Sequence, residues 1–134
     1  MDEKEYRAQC EVVLSKELPV ENPDELMKAA VEVEALGYLA TKFQAKAEMK
    51  LRDAEVQMMN ERAKSYNGVE GRTAEERKAK VDALTAELAS QIATFESLVK
   101  FYRNLSVLID RRVGLAQSTL ANFSAQIKAG IITR

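Results

Sequence analysis

Apolar residues recur at steps of three and four along two long stretches of this chain, and only one strong break separates the stretches. In the first, Leu26, Ala29, Val33, Leu36, Ala40, Phe43, Ala47, Leu51, Ala54 and Met58 stand on average about 3.6 residues apart, the repeat of a helix with one buried face. In the second, Val81, Leu84, Leu88, Ile92, Phe95, Val99, Tyr102, Leu105, Ile109, Val113, Ala116, Leu120, Phe123 and Ile127 average about 3.5, between a straight and a supercoiled helix. Each helix needs a partner for its stripe, and the other stripe is the nearest one. The intervening Tyr66-Asn67-Gly68-Val69-Glu70-Gly71-Arg72 holds the only cluster of turn-forming residues between them. The expected fold is therefore all-α, a long antiparallel, coiled-coil-like helical hairpin with that loop at its tip.

Local chemistry sets the boundaries. Asn22 can accept hydrogen bonds from free backbone amides, Pro23 suits the first helical position and Glu25 falls where a capping carboxylate sits. Thr73 opens the next helix in the same way, with Glu75 and Glu76 in its first turn, and Gly130 marks its end. The chain reads as one helical domain over residues 1–134. Residues 1–21 form a short N-terminal helix and turn, 22–67 the first long helix, 68–72 the tip loop and 73–130 the second long helix. The second outruns the first, and a helix over residues 3–17, with Tyr6, Cys10, Val13 and Leu14 on one side, can cover the overhang after a turn at Leu18-Pro19. Gly114 and Asn104-Leu105-Ser106 are the candidate kinks of the second helix.

A second apolar stripe, Leu98, Phe101, Leu108 and Leu115, runs beside the seam of the second long helix. One partner helix cannot cover both stripes. Either the N-terminal helix completes a three-helix core, or the surplus is buried between subunits; a two-helix hairpin of 134 residues has little else to offer, which favours a homo-oligomer.

The composition removes most catalytic chemistry. There is no histidine, the commonest general base and metal ligand, and Cys10 is the only cysteine, which reads as a small core residue. A lone thiol excludes an intramolecular disulfide and fits a reducing, cytoplasmic setting. Pairs such as Glu32 with Glu34 or Glu75 with Glu76 look like solvated helix faces, and Gly68-Val69-Glu70-Gly71-Arg72 lacks the lysine and spacing of a phosphate-binding loop. No enzyme, no cofactor and no metal site are expected. The charged first twenty residues do not resemble a secretory leader, and no uncharged apolar run of about 18 residues is present, so no membrane span is expected either.

The net charge is only −1, but its distribution is uneven. Residues 1–34 carry a net −6 and residues 35–80 a net +3. Around the loop stand Arg62, Lys64, Arg72, Arg77, Lys78 and Lys80, together with Tyr66. Cations around an aromatic ring supply phosphate neutralisation and a stacking surface, the two requirements of single-strand recognition. The same cations also suit a solvated face in which Lys64, Arg77 and Lys80 pair with Glu61 and Glu76. Tyr66 is either a stacking platform or a helix-end residue packed across the hairpin.

The layout of a long helix, the stretch Glu61-Arg62-Ala63-Lys64-Ser65-Tyr66-Asn67-Gly68, a short polar loop and a long second helix with Leu98, Phe101, Tyr102 and Leu108 resembles the UvsY-type recombination mediators of T-even-like bacteriophages over roughly residues 24–130. The resemblance implies a small helical protein that assembles into ring-like homo-oligomers, binds single-stranded DNA and loads a recombinase onto strands covered by single-strand-binding protein, in the cytoplasm of a bacterial host. It also implies a basic pair just before the glycine loop. Arg62 matches the second of the pair, whereas Asn60 stands where the first is basic, and Lys64, the nearest replacement, is expected on a different surface. The expected function is thus an oligomeric, single-stranded-DNA-binding recombination mediator, with Arg62, Lys64, Tyr66, Arg72, Arg77 and Lys78 as the nucleic-acid site and Leu98, Phe101, Leu108 and Leu115 as the oligomer interface. The alternative is a non-enzymatic helical interaction protein, such as a phage assembly factor or an inhibitor of a host system, which uses its apolar stripe or acidic N-terminal segment on a protein partner.

Overall fold

A computed structural model describes residues 1–68, 71 and 73–130, with Tyr66 described in its backbone only. The fold is all-α: α1 Glu3–Ser15, α2 Pro23–Gly68, α3 Ala74–Leu84 and α4 Ala86–Lys128, with no strand among the described residues. The long helices α2 and α4 pack against each other as a helical hairpin.

Each helix starts where its side chains satisfy the free amides. Asp2 caps α1 in a reciprocal box: the Glu5 amide donates to the Asp2 carboxylate at 2.8 Å, and the Asp2 amide donates to the Glu5 carboxylate at 3.4 Å. The Asn22 side-chain oxygen accepts from the amides of Asp24 and Glu25, 3.1 and 3.2 Å away, and Pro23 takes the first helical position of α2. Thr73 accepts from the Glu76 amide at 3.1 Å and opens α3.

The second long helix is divided, and not at the expected kinks. Helix runs unbroken through Asn104, Leu105, Ser106 and Gly114, whereas the interruption lies at Thr85. The Thr85 hydroxyl donates back to the Val81 carbonyl at 2.9 Å, a bond that competes with regular geometry and bends helices. The helical ladder is nearly retained there, since the Thr85 amide still reaches Val81 and the Ala89 amide reaches Thr85, both at 3.0 Å. The seam is re-registered as a result: Leu84, expected inside, is 67% exposed, and Thr85 is buried in its place. Val81 to Thr85 to Leu88 is as good a run of four and three as Val81 to Leu84 to Leu88, so spacing alone does not choose between them.

Contacts cluster into two compact units, Met1–Phe43 with the chain from Tyr102 onward, and Gln44–Phe101. In the first, α2 and α4 are antiparallel: Leu26 and Ala30 share a cluster with Ala116, Leu120 and Phe123, Gly37 lies against Ile109, and the Phe43 ring stands 5.8 Å from Tyr102. The α1 helix completes a three-helix core here, with Tyr6, Cys10 and Val13 buried. The rings of Tyr6, Phe43 and Tyr102 form a triad, with Tyr6 centred 5.0 Å from Phe43 and 6.5 Å from Tyr102. Both buried hydroxyls are satisfied: Tyr6 donates to the Leu36 carbonyl at 2.5 Å, and Tyr102 donates to the Glu3 carboxylate at 3.0 Å. At the other end of α1, the Arg112 guanidinium donates to the carbonyls of Leu14 and Lys16, binding a helix C-terminus with a cation.

In the second unit, α2 faces α3 and the start of α4. Ala47, Ala54, Val81, Thr85 and Val99 are buried, while Leu51, Met58, Leu88, Ile92, Phe95 and Leu98 are half-buried. Small residues on α2 let the helices approach but leave a thinner core than the aromatic triad fills in the first unit.

Candidate nucleic-acid interface

The tip cations do not form one open patch. Arg62, near the end of α2, donates to the Asp82 carboxylate on α3 at 2.7 Å, and both side chains are a little under half exposed. Asp82 therefore neutralises part of the charge that sequence alone assigns to the tip. Arg77, half-buried in the first turns of α3, donates to the Gly71 carbonyl at 3.2 Å. Its side chain crosses directly over Gly71, where an added Cβ meets the Arg77 Cγ at 2.9 Å, so the glycine makes room for an arginine that fastens the loop to α3. Lys64 and Lys78 stand exposed to solvent. The Tyr66 side chain and Arg72 lie outside the described residues.

The continuous helix also corrects the placement of Lys64. Within α2, Asn60 and Lys64 are four residues apart, which at 100° per residue puts them about 40° apart on one face. Lys64 thus supplies a cation beside the position where Asn60 departs from the mediator pattern. Arg62 lies about 160° away from Asn60, on the side that meets α3.

The expected oligomer stripe divides in two. Leu98 is half-buried in the second unit, and Phe101 is exposed at its margin. In the first unit Leu108 is 54% and Leu115 57% exposed although α1 has completed the core, so the N-terminal helix covers the main seam and leaves the second stripe open. With Leu14 of α1, these leucines line a shallow groove edged by Arg111 and Arg112.

A further surface belongs to α2. Met27, Val31 and Tyr38 are exposed on the first unit, and Met49, Val56 and Met59 on the second. Their spacing also follows the helical repeat, and the stripe centres roughly 150° around the helix from the buried seam, with Met27 nearest to it. The signal is present in the sequence, but the stronger stripe on the opposite face dominates it. On the first unit Met27 also borders a groove lined by Pro23, Leu120, Phe123 and Ile127.

Among the described residues no three His, Cys, Asp or Glu side chains group as a metal site, and no helix is long and apolar enough to cross a membrane. Burial pushes the Cys10 thiol up from its ordinary value, against the lowering effect of its hydrogen bond with Tyr6. Among the described residues the arrangement presents exposed cations at a helical tip and exposed apolar side chains on α2 and α4. Comparison with models of known protein families, with curated proteins and with solved structures finds no match.

Proposed function

We propose that the chain is a homo-oligomeric, non-enzymatic protein that binds single-stranded DNA through its hairpin tip, acting as a recombination mediator of the UvsY type that helps load a recombinase onto strands held by single-strand-binding protein. The observation that carries this reading is the exposure of Lys64 and Lys78 on the two helices that meet at the tip, with the half-exposed Arg62 two residues before Lys64 and Lys64 on the Asn60 face. Two or three cations per chain neutralise few phosphates, so one tip binds weakly. Several tips in one assembly engage a strand at high effective concentration, and the affinities multiply. The mechanism therefore requires both surfaces, the basic tip for contact and the apolar faces for assembly.

A titration of labelled single strands at several salt concentrations tests this reading. Phosphate neutralisation gives a log-log slope of about −0.7 per contact on single strands. Salt-insensitive or undetectable binding contradicts it. The exposed Leu108, Leu115, Met27 and Val31 favour a second reading, a helical adaptor for a protein partner, which would retain that partner at high salt and ignore DNA.

A further inference from the structure

The first unit presents two exposed apolar surfaces of opposite electrostatic character. One is the outer face of α2 around Val31 and Tyr38, with Met27 at its edge beside Leu120 and Phe123. The exposed acids Asp24 and Glu34 border it, and from Pro23 to Tyr38 the only base is Lys28. The other is the groove between α1 and α4, where Leu14, Leu108 and Leu115 lie beside Arg111 and Arg112. Arg112 is committed to the α1 carbonyls, while Arg111 is exposed.

We propose that these surfaces are the two halves of one interface: the α2 outer face of one copy of this chain seats in the α1/α4 groove of the next. The inference rests on the reading of the chain as a homo-oligomer and specifies how the copies join. Charge decides the pairing. An α2 face against a second α2 face brings together two rims that carry Asp24 and Glu34, and a groove against a groove brings together two rims that carry Arg111. Only the mixed pairing brings the acidic rim to the basic one, and like charges across an interface penalise the other two. Shape agrees, since a convex helix with a row of apolar side chains fits a groove between two helices better than two convex faces fit each other. Such contacts are heterologous. Each added copy leaves one α2 face and one groove free, so growth ends only when a ring closes.

Complementation tests the proposal. Val31→Glu spoils the α2 face and Leu108→Glu the groove, both at exposed positions, and circular dichroism checks that each variant keeps wild-type helicity. Tyr38→Glu and Leu115→Glu are the second variants for the same faces should either of the first lose helicity. By light scattering the wild type is expected to be larger than a dimer, and each variant alone a monomer. An equimolar mixture is expected to give a species of two chains and no larger, because only one intact pair of surfaces remains. Three outcomes overturn the pairing while leaving self-association standing: wild-type size for the Val31→Glu variant, wild-type size for the Leu108→Glu variant, or a mixture that remains monomeric. A monomeric wild type overturns the homo-oligomer reading itself.

Discussion

The Arg62 guanidinium on α2 and the Asp82 carboxylate on α3 stand 2.7 Å apart, joining the two sides of the hairpin close to its tip. Both side chains are nearly half exposed, so the pair contributes at most about 1 kcal/mol to stability, but it holds the charge of Arg62 away from other partners. Replacing Asp82 with Asn should leave the melting temperature within a few degrees of wild type. It should also strengthen single-strand binding and steepen its log-log salt slope by up to about 0.7, as one more cation becomes available to phosphate. Calorimetry and a binding titration on the same variant check both halves. Unchanged affinity would mean that Arg62 does not face the strand.

Arg112 fastens α1 to the first unit. Its guanidinium donates to two carbonyls at the end of α1, and its Nε is buried without a partner, so the side chain is held by those carbonyls and by packing. Arg112→Ala should cost about 1 to 3 kcal/mol in urea unfolding, the usual worth of hydrogen bonds from a charged donor. Amide exchange should increase most within Glu3–Ser15. Arg112→Lys should restore only part of the loss, because one ammonium cannot reproduce the forked contact.

Alkaline pH should loosen the same unit. Burial first, and then the neighbouring Glu3 carboxylate, push the Tyr102 hydroxyl up to about 12, and burial followed by Cys10 raises Tyr6 as well. The unfolded chain gives up these protons near pH 10, so deprotonation favours unfolding. The stability contributed by the neutral hydroxyls is fully present below about pH 10 and is lost as pH rises toward 12. Helicity followed against pH should show that loss, and Tyr102→Phe should reduce its steepness. A flat profile through this range would contradict the buried-triad description.

The two mid-helix glycines make opposite predictions. At Gly114 an added Cβ meets nothing within 4 Å, so Gly114→Ala should stabilise by about 0.5 to 1 kcal/mol through helix propensity alone. At Gly37 the added atom comes within 3.1 Å of the Ile109 Cγ2, so Gly37→Ala should gain less or lose outright, and Gly37→Val should destabilise clearly. Thermal melts of the three variants rank the positions.

Helix periodicity made most of the fold legible. Leu26, Val33, Leu36, Ala40, Phe43, Tyr102, Leu105, Ile109 and Ala116 are all buried where their spacing places them. Register was legible only where apolarity and spacing agree. At Leu84 and Thr85 they disagree, and a hydroxyl that bonds its own helix takes the inner position. The candidate site was less legible, because charge along the chain carries no record of pairing across a loop. Arg62 and Asp82 are twenty residues apart in sequence and meet only once α2 and α3 are formed. Arg77 likewise reads as a tip cation or as the partner of a nearby glutamate, and its bond to the Gly71 carbonyl appears only in the folded chain.

The most direct test of the account is the salt dependence of single-strand binding by the wild type and by a variant with both Lys64 and Lys78 replaced by alanine. If the tip carries the contact, the variant keeps its oligomer size and helicity, binds more weakly at every salt concentration, and shows a log-log slope shallower by roughly 1.4, the sum of two phosphate contacts. A variant that binds with wild-type affinity and slope, or a wild type that ignores single strands at low salt, would contradict the account.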